Sequence, residues 1–137
     1  MSLITINPAL MAPPVPTEAQ ALRQIDADVD AIYADAIGNR GPEYEAAETE
    51  ALAYQAAGFA GPVPPSVASW VAASGMESEA AALDIVAQGT AWRQAAQAMR
   101  AQRLQAKAGV RSGAIAPTLA AWAGFVAQIR AALGVDA

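Results

Sequence analysis

Apolar residues recur along most of this chain at intervals of three and four, the period of a helix buried along one side. Leu22, Ile25, Val29, Ile32 and Ala36 are spaced 3-4-3-4, like one seam of a coiled coil. Asp26, Asp28, Asp30 and Asp35 fall off that seam. Thr17 and Gln20 have the capping-box spacing, in which hydroxyl and amide each satisfy a backbone N–H that the first turn leaves open. Gly38 suits the left-handed position just past a helix end. A tight Asn39-Arg40-Gly41-Pro42 turn follows, with Pro42 fitted to the first position of a second helix. Glu43, Glu45, Glu48 and Glu50 crowd the start of that helix, where the dipole favours carboxylates. Tyr44, Ala47, Ala51 and Tyr54 share its stripe, Leu52 lies beside them, and Gly58 ends it. The short connection predicts that these two helices form an antiparallel hairpin.

Gly58-Phe59-Ala60-Gly61-Pro62-Val63-Pro64-Pro65 is a rigid breaker and the expected hinge. Ser66 is placed to cap a short helix carrying Val67, Trp70 and Val71, closed by Gly75. Ser78, between Glu77 and Glu79, opens the longest helical pattern, which runs to about Ser112. Its apolar stripe is Leu83, Val86, Trp92, Ala96, Met99 and Leu104, interrupted by Gly89 at up to about 1 kcal/mol against alanine. Pro117 starts the last helix, with Leu119, Trp122, Val126, Ile129 and Leu133 on its apolar face and Gly134 as its stop. Outside Leu3-Ile4-Thr5-Ile6, β-branched residues cluster nowhere. The expected fold is all-α, with an extended N-terminal arm over residues 1–16 and a single helical domain over 17–137. Within that domain a hairpin (17–58) and a second helical hairpin (66–134) flank the hinge (58–65). Pro8, Pro13, Pro14 and Pro16 keep the arm extended. It is either a disordered terminus or a segment that packs on a neighbour or adds a strand to a partner's sheet edge.

Composition narrows the chemistry. The chain has 137 residues, one domain's worth, and 38 of them are alanine. Alanine favours helices and lets their backbones approach closely. The resulting core is thin, so self-association or a partner would complete it; a GC-rich genome is the bland source of the same excess. There is no Cys and no His, which removes disulfides, thiolate nucleophiles, imidazole bases and nearly every zinc, haem or copper site. Glu45 and Glu48 lie one turn apart, but di-metal bundles need Glu-x-x-His. Asp26-Ala27-Asp28-Val29-Asp30 lacks the Gly and Glu of a calcium loop, and in a helix its carboxylates point apart. No phosphate loop, nucleophile elbow or dinucleotide fingerprint occurs. The expectation is a protein without catalysis, cofactor or metal. No apolar run reaches 18 residues and no basic leader precedes one, so neither a membrane span nor a signal peptide is expected, and the cytoplasm is the default.

Charge is divided along the chain. Up to Asp84 there are twelve acidic residues against Arg23 and Arg40; beyond it, Asp136 stands against six bases. An acidic half docks on a basic half, or one of them meets a partner. Arg93, Arg100, Arg103, Lys107 and Arg111 form one basic stripe on the long helix. An overall pI near 4.5 argues against a nucleic-acid partner.

Ile25 to Tyr33, Tyr44-Glu45-Ala46-Ala47-Glu48 through Tyr54, Ala57-Gly58-Phe59-Ala60-Gly61-Pro62-Val63-Pro64, Ala91-Trp92-Arg93 and Met99-Arg100 to Lys107 together resemble small Ala-rich helical proteins of tailed-phage and prophage tail modules. The likeness covers about residues 20–112. It implies a non-enzymatic tail-fibre assembly protein, chaperone-like, that binds the fibre in the host cytoplasm. The alternative is a structural tail or baseplate component packed permanently in the virion; a weaker one is an inhibitor of a host protein whose acidic half mimics nucleic acid. The expected partner contacts are Phe59, Val63, Val67 and Trp70, with Arg100, Arg103 and Lys107 as electrostatic support. The apolar four have a plain rival role, plugging the junction between hairpins.

Overall fold

One helix of 34 residues organises the molecule. In the computed structural model, which describes residues 14–135, five helices are present among those residues: α1 (Glu18–Ala36), α2 (Gly41–Ala56), α3 (Pro65–Ser74), α4 (Ser78–Arg111) and α5 (Ile115–Leu133). The described residues contain no strand, so the chain is all-α. The arm expected over 1–16 lies, as far as residue 13, outside the described residues. At 1.5 Å per residue α4 is about 50 Å long, and each of the other four helices packs against it.

The local signals at the helix ends act as their chemistry demands. The Thr17 N–H donates to Gln20 Oε1 at 2.9 Å and the Gln20 N–H to Thr17 Oγ1 at 3.1 Å, closing the capping box on α1. Gly75 and Gly134 take left-handed conformations that stop α3 and α5. Two starts differ from the sequence expectation. Ser66 lies inside the first turn of α3 rather than capping it, because Pro65 presets the dihedral of the first helical position. Helix α5 begins at Ile115, two residues before Pro117, which the first turn tolerates because its missing N–H has no intrahelical acceptor there.

The expected hairpin of α1 with α2 does not form, and the two helices make no contact with each other. Instead α1 and α2, of 19 and 16 residues, lie in tandem along α4 and antiparallel to it. Ala21, Ile25 and Val29 meet Ala106 and Val110. Ile32 meets Ala95 and Met99. Past the 37–40 turn, Ala51 and Tyr54 meet Ala81 and Ala82. The physical reason is burial: the apolar seam of α1 and that of α2 are each satisfied by α4. Helix α3 closes the half of the molecule around α2, with Val67 fully buried. Helix α5 closes the half around α1, through Trp122 and Ile129. The 57–64 segment therefore connects two helices of one half, α2 and α3, which pack on each other. What spans the two halves is α4 itself.

The stripe expected on α4 also shifts. Leu83 and Leu104 are 43% and 45% exposed, whereas Ala81, Ala82, Ala95, Met99, Ala106 and Val110 are buried. Neighbouring helices approach where the side chain is a methyl group, and the larger leucines are turned outward. Two glycines extend this logic. A β-carbon at Gly109 would stand 2.6 Å from Thr118 Oγ1 on α5, and one at Gly89 would overlap the Glu48 carboxylate on α2.

These two sites should respond oppositely to alanine. Thr118 is β-branched and stiff, so Gly109→Ala is expected to lower stability by about 1 kcal/mol, the over-packing cost exceeding the gain in helix propensity. Gly89→Ala displaces only the flexible end of Glu48 and is expected to leave stability unchanged or raise it by up to about 1 kcal/mol. Urea unfolding of the two variants checks the contrast.

Candidate functional site

The acidic and basic halves of the chain meet inside the molecule. Asp26 on α1 accepts a hydrogen bond from Lys107 Nζ at 2.6 Å and has Arg103 Nη1 at 3.6 Å. Arg93 on α4 pairs with Glu48 on α2. Arg130 on α5 reaches Asp35 Oδ2 and the Val135 carbonyl, both at 2.9 Å. Each pair joins an acid of α1 or α2 to a base of α4 or α5. Of the two explanations of the charge asymmetry, internal docking is the one the geometry displays. The hydrogen bond from Lys107, with the charges of Lys107 and Arg103, holds the Asp26 carboxyl below its ordinary value, against the opposing effect of burial.

The three alternating aspartates of α1, Asp26, Asp28 and Asp30, diverge as a helix requires. Asp26 faces α4, Asp28 Oδ2 accepts the indole N–H of Trp122 at 2.9 Å, and Asp30 is exposed. Among the described residues no three acidic, His or Cys side chains converge on a common point, and no helix is long and apolar enough to cross a membrane.

The residues expected to contact a partner fall into distinct environments. Val67 has no exposed surface and serves the core between α2, α3 and α4. Trp70 is half-buried; its indole N–H donates to Asp84 Oδ2 at 2.8 Å, an oxygen that also accepts from Gln88 at 2.7 Å. Phe59 is half-buried and edge-on to Tyr54, with ring centroids 5.4 Å apart. Its φ of +60° is the only positive value outside glycine among the described residues, a conformation uncommon for a bulky side chain. The Tyr54 ring and the Phe59 N–H bond to the Tyr54 carbonyl, at 2.9 Å, hold it there. Val63 is open, at 39% exposure. Of the basic stripe, Arg103 and Lys107 are engaged by Asp26, while Arg100 is exposed with no ion pair among the described residues.

One feature escaped the sequence. Between α1 and the middle of α4 runs an open groove of about 890 Å³, walled by Asp30, Tyr33, Arg93, Gln97 and Arg100 with Met99 at its base. Tyr33 stands edge-on to Trp92 beside it, centroids 5.2 Å apart. The available signal was Tyr33 itself, an aromatic residue next to the α1 seam rather than on it. The groove presents both signs of charge and an aromatic edge. Comparison with protein-family models, with curated proteins and with solved structures gives no match.

The depressed Asp26 carboxyl sets a pH dependence. A carboxyl lowered by folding stabilises the folded state above its unfolded value of 3.8, and the contribution is lost as pH falls below that value. Because the side chain is 45% exposed, solvent screening limits the pair to about 0.5–1 kcal/mol. Asp26→Asn is expected to cost that amount at pH 7, with the difference from the parent protein closing as pH drops below 3.8. Urea melts across the acid range measure it.

Proposed function

We propose that this chain is a non-enzymatic helical protein that works by binding other proteins. On the resemblance carried by residues 20–112, its role is the assembly of a phage tail fibre. The supporting observation is the distribution of uncovered apolar surface. Of the eight large apolar side chains exposed among the described residues, Tyr44, Leu52, Val63, Met76 and Leu83 all lie in the half built from α2, α3 and the start of α4. Phe59 and Trp70 are in that half too. Scattered exposed leucines are ordinary, but concentration of apolar surface in one region suits a contact surface. In this reading the fibre meets Val63, the outer side of Phe59 and the exposed part of Trp70. Val67 supports that surface from within; Arg100, farther along α4, supplies charge, while Arg103 and Lys107 are held by Asp26 in the half around α1 and lie outside the surface. Retention in the tail as a structural component is the second reading, which the roughly 50 Å rod of α4 also suits.

Co-expression with the neighbouring fibre gene product, followed by size exclusion with light scattering, tests the proposal. The expected result is soluble fibre co-eluting with this protein, and at least tenfold less complex with Val63→Glu, an exposed position whose change leaves the fold intact. Independent elution with unchanged fibre solubility overturns it. Presence in purified virions at the tail's symmetry selects the structural reading.

A further inference from the structure

Helix α4 has a second seam. From Leu83 to Ala108 its outward face carries an uncharged, exposed residue at alternating intervals of four and three, the heptad spacing of a helix that pairs with another. The seam is complementary to itself when reversed. In an antiparallel pair centred between Gln94 and Gln97, Leu83 meets Ala108 of the second copy and Ala87 meets its Leu104. Thr90 then meets Ala101, and Gln94 meets Gln97. Large faces small at both ends, the amides pair at the centre, and a twofold axis produces every layer twice. We propose that this face of α4 is a homodimer interface in which two copies pack antiparallel. The inference is independent of the tail-fibre role.

Charge selects the same direction. Residues 40–95 carry seven acids against Arg40 and Arg93, whereas the remaining described residues carry five acids against six bases. Antiparallel pairing sets the acidic end of each copy beside the slightly basic end of the other; parallel pairing sets like beside like. Along the flank, Arg93 of one copy comes beside Arg100 of the other, and Glu48, already paired with Arg93, supplies the counter-charge. The strip is about 38 Å long and narrow, so the dimer is reversible and its population follows concentration.

The absence of cysteine makes disulfide trapping clean. Sedimentation velocity from about 1 to 500 µM is expected to show the mass rising from 14.0 kDa towards twice that value. The double variant Leu83→Glu, Leu104→Glu is expected to stay at the monomer mass with unchanged helix content. A mixture of Thr90→Cys and Ala101→Cys proteins, mildly oxidised, should give the mixed disulfide, while either alone gives none. In one chain these positions are roughly 16 Å apart, and a disulfide needs Cα atoms within about 7 Å. A monomer at every concentration overturns the proposal and leaves the face to a helix of another protein. Self-linking of Thr90→Cys overturns it in favour of parallel pairing.

Discussion

The distance at which α4 meets its neighbours is set by methyl groups. Ala81, Ala82, Ala95 and Ala106 stand at the contacts, and beside them Gly89 and Gly109 admit side chains of α2 and α5 to the bare backbone. Close approach gains dispersion contacts along the helix backbones, but each alanine removes little apolar area from water. Ile25, Ile32, Val67, Met99 and Val110 are the largest fully buried side chains, and they are spread over three small clusters rather than one. Every other helix leans on α4, so the fold stands or falls with that helix.

A core divided in this way leaves polar contacts to specify which helix lies where. Lys107 with Asp26, Arg130 with Asp35 and Arg93 with Glu48 fix the register of α1 and α2 on the basic second half of the chain. Trp122 with Asp28 and Trp70 with Asp84 use indole N–H groups for the same purpose at partly buried positions. Exposed pairs add little stability individually, yet a register shift of α1 would separate Asp26, Asp28 and Asp35 from their partners together. Four of the six bases beyond Asp84 are thus engaged in folding, and Arg100 and Arg111 are what remain of the basic stripe for other uses.

The elements were legible and their arrangement was not. Thr17 with Gln20, Gly75 and Gly134 mark ends through local chemistry, and local chemistry is written in neighbouring residues. The buried face of α4 was misjudged because hydrophobic periodicity weights leucine over alanine; Leu83 and Leu104 drew the stripe towards solvent. The hairpin of α1 with α2 was expected from a short turn alone. A short turn permits tandem as well as antiparallel packing, and the choice was made by long-range burial against α4, which no local pattern encodes. Among the partner contacts, Val67 was a core residue by the same blindness: an apolar residue after a loop looks alike whether it faces in or out.

The tandem arrangement also orders events during synthesis. The half around α2 and α3 is built from residues near one another in the chain, and Tyr54 finds Ser78 across 24 positions. Helix α1 has no such neighbour. Its partners Lys107 and Trp122 stand 81 and 94 positions downstream. At bacterial and eukaryotic elongation speeds they follow roughly 5–20 s later. Of the five described helices α1 is made before the other four, so its seam of Ile25, Val29 and Ile32 stays open until the closing residues of α4 and α5 arrive.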